Sequence, residues 1–172
     1  GDKATVGGST QSTVGAQGEI AEAIGLPVQK VRVITPFVGG GFGGKSRGTQ
    51  AVEAARLSKA VGKPVQVAWS RAEEFFYDTF RPAAIVKITS GIDGAGKMVL
   101  WDYDVLYAGE RGAPQFYAIP NHRTTARSSG RQGGGGGQVF ATGAWRAPGN
   151  NTNTFARESQ IDIMAAAAGM EP

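Results

Sequence analysis

Val38-Gly39-Gly40-Gly41-Phe42-Gly43-Gly44-Lys45-Ser46 is the stretch around which the rest of the chain is organised. A β-type run, Lys30-Val31-Arg32-Val33-Ile34-Thr35-Pro36-Phe37, leads into it, and a helix-type run from Gly48 to Val61 follows. Glycines around a single phenylalanine cannot pack a core. They can bring bare backbone N–H groups close to a ligand rich in oxygen. The identity of that ligand decides the function.

The chain has 172 residues, enough for a domain with a real core. Its net charge is +4 and its pI about 9.6, without a run of like charges, so the balance does not point to nucleic acid. Glycine contributes 27 residues, about twice the usual share of ~7%. The excess falls in two clusters, 39–44 and 133–137. There is no cysteine, which excludes a disulfide, an iron–sulfur cluster or a zinc–thiolate site within this chain. The sequence shows no signal peptide and no apolar run long enough for a membrane span. Both cytoplasm and periplasm remain open as compartments.

Working outward from the loop, Ser9–Thr13 offers hydroxyl caps ahead of a helix from Val14 to Ile24. Val14, Ile20, Ile24 and the alanines share one face there, and Gly25 is the stop. A strand is expected over Lys30–Val38, and an Ala-rich helix over Thr49–Val61 that ends at Gly62-Lys63-Pro64. Val65–Trp69 alternates as a strand, and Arg71–Phe76 reads as a helical turn. Ala84–Thr89 and Lys97–Tyr107 read as strands joined by an Asp93-Gly94 hairpin turn. Asp102 and Asp104 share a solvated face of the second strand. Arg123–Ala126 is a short strand, and residues 128–138 form a flexible Gly-rich loop. Asn150–Asn153 caps a last helix, Thr154–Ala168, with Phe155, Ile161 and Met164 for its core and Gly169 as its end. Helices and strands mixed with one hairpin give an α+β fold with a mixed sheet and packed helices.

Read alone, the glycine loop admits a phosphate-binding role. Gly39, Gly44, Lys45 and Ser46 fit G-x-x-x-x-G-K-[ST] between a strand and a helix. Loop amides would then cradle phosphates, Lys45 would reach the outer phosphates, and Ser46 would bind magnesium. Asp102, after Val99-Leu100-Trp101, would be the magnesium-side carboxylate. In a glycine-rich chain the pattern is easily met by chance.

A longer set of residues points elsewhere. Pro36–Lys45 closely resembles the glycine–phenylalanine loop of the xanthine oxidase family of molybdenum hydroxylases. Ser9-Thr10-Gln11, followed by the Gln17 helix and Leu26-Pro27, resembles the segment preceding that loop. Trp145-Arg146-Ala147-Pro148-Gly149, with Phe155–Glu158 and Gly169–Pro172, resembles the family's downstream active-site turn and helix. The three blocks occur in the family's order and cover nearly the whole chain. The resemblance is closest to the bacterial aldehyde-oxidising and N-heterocycle-oxidising members.

The resemblance implies a partial molybdopterin-binding domain over residues 1–172, within a larger subunit. Molybdenum is held there by its pterin and not by side chains. Gln11 would hydrogen-bond the apical molybdenum oxygen, and the amides of Phe42 and Arg146 would face the metal's other oxygen ligands. Gly40, Gly41, Gly43 and Gly44 would let the backbone approach metal and pterin. The reaction implied is oxidation of an aldehyde or N-heterocycle with oxygen from water. The cytosine dinucleotide form of the pterin is expected. So are FAD and iron–sulfur clusters on partner chains, with flavin or cytochrome subunits as electron acceptors. No catalytic residue is expected in this chain, because the family's general-base glutamate would lie beyond Pro172. By itself the chain would then be inactive, as a split subunit, a fragment or an excised domain. Ser46 and Pro148 stand where purine-oxidising relatives carry a glutamate and an aromatic ring, which argues against a purine substrate.

Plainer readings stand beside these. Without the resemblance Gln11 is a residue of a helix-cap region, and the Arg146 side chain serves equally well in a structural ion pair. His122, the only histidine, reads as a surface turn residue, and Glu73 and Glu74 as surface charges. Trp69, Phe75, Phe76, Phe80 and Trp101 read as core or as an interface with other parts of a subunit. An inert structural or interaction domain is the third functional reading.

Overall fold

The β-type run ahead of the glycine loop does pair, over a shorter length than its composition suggests. In the computed structural model, which describes residues 1–127 and 138–172, the chain forms two compact units, Gly1–Asp78 and Thr79–Pro172. The glycine run 133–137 lies outside the described residues, as does nearly all of the loop expected at 128–138.

The first unit begins with β1 (Ala4–Gly7) and α1 (Thr13–Ile24), then a 3-10 turn (Val28–Lys30), β2 (Val31–Ile34), α2 (Thr49–Val61) and α3 (Arg71–Tyr77). β1 and β2 are parallel, with Ala4 opposite Val31 and Gly7 opposite Ile34. The expected strand Lys30–Val38 thus stops at Ile34. Its partner ends there, Pro36 has no N–H to donate, and Phe37 is fully exposed at 104%. Ile20, Ala21 and Ile24 of α1 pack with Val6, Val31 and Ala55 to make the core. Val14, expected on that face, is exposed instead. Gly25 and Gly62 end their helices in the left-handed conformation that glycine allows.

Val65–Trp69 is not a strand. Val65, Val67 and Trp69 are half-buried while Gln66 and Ala68 are exposed, so the alternation is real, but among the described residues no ladder partner adjoins it. Trp69 donates instead to Glu53 at 2.8 Å. Glu73, expected as a plain surface charge, closes a capping box with Ser70 at the start of α3. The backbone N–H of Ser70 is the main reason its carboxyl lies below the usual range.

The second unit holds β3 (Ile85–Ile92), β4 (Met98–Leu106), β5 (Asn121–Arg127) and α4 (Pro148–Ala168). β3 and β4 form the expected hairpin, antiparallel across the Asp93 turn, while β5 adds parallel to β4. With α4 packed on this mixed sheet, the fold is α+β. The inward face of β4 carries Trp101, Tyr103 and Val105, all fully buried, with Ala113 and Ile119. Trp101 is therefore core, whereas Phe75, Phe76 and Phe80 are exposed. Asp102 and Asp104 are ion-paired rather than merely solvated. The register of β5 brings Arg123 to Asp102 at 2.5 Å and Arg127 to Asp104 at 2.8 Å. His122 is exposed, as expected, but stands in β5, with Nδ1 2.9 Å from the Ile119 carbonyl.

The last helix begins six residues before the expected Thr154. Pro148 opens it, where a missing N–H costs nothing, and Ala147 is its cap. Asn150–Asn153 are consequently inside the helix. Ile161 and Met164 pack as expected, but Phe155 is 75% exposed. Among the described residues no helix is long and apolar enough to cross a membrane.

Candidate functional site

Gln11, Gly40, Gly41, Phe42, Gly43 and Gly44 come together in the first unit. β2 delivers the chain to the loop and α2 carries it away, while Gln11 immediately precedes α1. Gly39, Gly40 and Gly43 have φ of +70°, +112° and +115°. Phe42 has φ +51°, one of three such non-glycine residues among those described. An L-residue held there is strained by roughly 1 kcal/mol. Such outliers persist where the surroundings over-determine them, and they cluster at functional sites.

The loop is closed by its own backbone. Gly44 N–H donates to the Gly41 carbonyl at 2.9 Å, and Ser46 N–H to Gly43 at 3.3 Å. The Ser46 hydroxyl adds a bond to the same Gly43 carbonyl at 2.8 Å. Gln11 N–H donates to the Lys45 carbonyl at 2.8 Å, which ties the start of α1 to the loop's exit. A Cβ placed on Gly41 would lie 2.2 Å from Gln11 Oε1 and 2.5 Å from its Cδ. The Gln11 carboxamide therefore rests against the bare Cα of Gly41. A Cβ on Gly40 would meet the Phe42 ring at 2.9 Å. A Cβ at either glycine would displace the side chain beside it, and Gln11 and Phe42 are exposed. A side-chain amide and unhindered backbone on an accessible surface suit a large, oxygen-rich cofactor.

The phosphate-loop geometry is not met. That motif needs its lysine and hydroxyl residue to open the helix. Here Lys45 and Ser46 lie in turns ahead of α2, which starts at Thr49. The Lys45 ammonium is turned back onto the Val38 carbonyl at 2.5 Å.

Arg146 belongs to the second unit. It is exposed, in the bend that leads into α4. Ala147 beside it has φ +62°, so both singled-out backbone stretches contain a strained non-glycine residue. Trp145 is covered by the Arg81 guanidinium at 5.3 Å, and Arg81 also donates to Thr152 at 2.9 Å. Gly149 allows α4 to press on the 108–111 loop, since a Cβ there would lie 2.6 Å from the Ala108 carbonyl.

Sequence reasoning missed the buried group that anchors α4. Asn153, fully buried, accepts from the Tyr103 hydroxyl at 2.8 Å and donates to the Gly109 and Arg111 carbonyls, both at 3.0 Å. One turn on, Arg157 donates to the Gly112 carbonyl at 2.8 Å and covers the Phe116 ring at 4.6 Å. Burial pushes the Tyr103 phenol up to about 12, with the Arg157 charge opposing. Tyr117 donates to Glu158, and that hydrogen bond is the main reason its own pKa rises. Burial alone would raise Glu158, but bonds from Tyr117 and Arg157 leave it below the usual carboxylate range. The only advance signal was two large polar residues four apart in a helix, on one face.

A bare-backbone loop backed by a glutamine is an arrangement that can admit a cofactor. Residues 1–116 match the family described as molybdopterin cofactor-binding domain, and the chain belongs to that family, within the xanthine oxidase family of molybdenum hydroxylases. Over its whole length it is 31% identical to the aldehyde oxidoreductase molybdenum-binding subunit PaoC of Escherichia coli, of which it covers 24%. Over 98% of its length it is 31% identical to an Escherichia coli xanthine dehydrogenase molybdenum-binding subunit, again covering 24% of that protein. Quinoline 2-oxidoreductase from Pseudomonas putida shares the fold, with TM-score 0.77 over 98% of this chain and 23% of that one, at 22% identity. The chain thus spans about a quarter of the length of these relatives.

Proposed function

We propose that this chain walls the molybdenum–pterin cofactor within a larger molybdenum hydroxylase, an oxidoreductase acting on an aldehyde or N-heterocycle. The observation that carries this reading is the Gln11 carboxamide resting on Gly41, beside a strained and exposed Phe42. Gln11 would hold the cofactor through a hydrogen bond from its side-chain amide to one of the cofactor's oxygen atoms. The backbone N–H groups of Phe42 and Arg146 would donate to other oxygen atoms of the bound cofactor. Gly40, Gly41, Gly43 and Gly44 admit the cofactor to the backbone without a Cβ in its way. When bound, the cofactor supplies hydroxylation of an electron-poor carbon with oxygen taken from water. The residues of this chain bind it, orient it and present donors that are already fixed in place.

Residues 1–172 act as one part of the cofactor domain, and the rest of the subunit completes it. The relatives named as molybdenum-binding subunits support further subunits as partners, and iron–sulfur and flavin or cytochrome chains belong to this proposal. The cytosine dinucleotide form of the pterin and FAD on a partner belong to the same reading. The test is metal and pterin analysis of the protein produced with its partner subunits in cofactor-replete cells. Stoichiometric molybdenum with a cytosine dinucleotide pterin is expected. Protein that is folded and assembled but lacks both overturns the reading.

A further inference from the structure

The phosphate-loop lysine of the sequence has a different task in the fold. From Val38 to Lys45 the chain has almost no side chains with which to hold its shape, and Gly39, Gly40, Phe42 and Gly43 all have positive φ. Glycine-rich backbone loses the most freedom when ordered, so such a loop needs ties. Lys45 provides them at both ends. Its ammonium reaches back across the loop to the Val38 carbonyl at 2.5 Å, at the entrance. Its own carbonyl, at the exit, accepts the Gln11 N–H at 2.8 Å and the Thr10 hydroxyl at 3.4 Å. The Ser9 hydroxyl reaches the same Val38 carbonyl at 3.5 Å. One half-buried residue thus links loop entrance and exit: its side chain holds Val38, and its backbone carbonyl, held in place by that anchor, holds the N–H of the residue whose carboxamide lies on Gly41.

We propose that Lys45 is a positioning residue: it staples the glycine loop shut and thereby holds the Gln11 carboxamide against Gly41. Lys45 is not a ligand of phosphate or substrate, because its charge is spent on the loop's own carbonyl. Its effect on turnover rests on the function proposed above. The staple itself is a property of the chain with or without cofactor, so two independent readouts separate the two claims.

The first readout is amide hydrogen exchange in the assembled but cofactor-free protein. Losing a charged hydrogen bond in Lys45→Met is expected to speed exchange at Gln11 and Gly44 by roughly 10- to 100-fold, and Lys45→Arg, which keeps a long donor, should restore most of the protection. The second is turnover of an aldehyde by the loaded enzyme. Lys45→Met is expected to lower kcat by about 10- to 100-fold with KM little changed, the size of effect typical of residues that orient a contacting group. In a Gln11→Ala background the same substitution should add less than about 3-fold, since Lys45 acts through Gln11. Unchanged exchange in Lys45→Met overturns the staple, and so do equal losses in both backgrounds or a rise in KM alone. If exchange responds to Lys45 but the assembled protein takes up no molybdenum, the staple stands and the functional reading falls. If molybdenum is bound and exchange does not respond, the staple alone falls. Should Lys45→Met not accumulate, Lys45→Gln carries the same expectations, because its shorter side chain cannot span to Val38.

Discussion

Gly41 is constrained differently from its neighbours Gly40 and Gly43, because what bears on it is not conformational. Its φ is ordinary, and what excludes a side chain is the Gln11 carboxamide. Because that amide is the free end of a flexible side chain, Gly41→Ala is expected to leave stability within about 1 kcal/mol while swinging Gln11 away. The assembled enzyme should lose about 100-fold in kcat, the order seen when one preorganised donor is removed from a site. A thermal scan and a rate measurement on the same preparation check both halves, and a Gly41→Ala enzyme with full activity would refute the assignment of Gln11. Gln11 and the loop glycines were legible beforehand only because three ordered blocks resembled a known family. The pairing of Gln11 with Gly41 was not, since it depends on a rotamer. Nor was the partner of Lys45, because a backbone carbonyl carries no mark in a sequence.

At the scale of elements, α4 is fixed by Asn153 as well as by its apolar face. Asn153→Ala removes a buried side chain that makes three hydrogen bonds and is expected to cost about 3 kcal/mol, measured by urea denaturation of the assembled protein. An effect below ~1 kcal/mol would show that the 108–111 loop holds without it. The partner Tyr103 adds a pH dependence whose sign follows from its raised pKa, about 12 when folded, against ~10 in an unfolded chain. The folded state favours the neutral phenol, so this contribution is complete below pH ~10 and is lost as pH rises toward 12. Tyr103→Phe should weaken the fold at neutral pH by about 1–3 kcal/mol, through the unpaired Asn153 oxygen, and flatten the alkaline decline. An unaltered decline between pH 10 and 12 would assign it to other groups. The helices α1, α2 and α4 were readable from glycine stops and periodicity, and the β3–β4 hairpin from Asp93-Gly94. Boundaries failed where a partner or a cap decides them. β2 ends because β1 ends, Val65–Trp69 has no ladder partner among the described residues, and Pro148 opens α4 earlier than its asparagines suggest.

For the molecule as a whole, the surface is more telling than the core. Phe37, Phe75, Phe76, Phe116, Phe140 and Phe155 are each exposed by more than two-thirds of their area, although large aromatics dominate core and interface energetics when buried. Composition could not foretell this, because a phenylalanine destined for an interface and one destined for a core look alike in sequence. The chain spans about a quarter of these relatives' length, and on the function proposed above the rest of the subunit would cover this apolar surface. Contiguous exposed apolar patches on a free protein drive association. The chain produced by itself is therefore expected to self-associate with rising concentration and to bind a hydrophobic dye. Phe75 and Phe76 are adjacent in a short surface helix with no buried residue, so Phe75→Ser with Phe76→Ser should reduce both signals while shifting stability by no more than about 1 kcal/mol. In the assembled enzyme the same double change should weaken the complex rather than help it, because there those rings are expected to be covered. Sedimentation of the isolated chain and subunit retention in the complex measure the two sides. A double variant that behaves as wild type in both would mean that the α3 aromatics face water in the working enzyme as they do here.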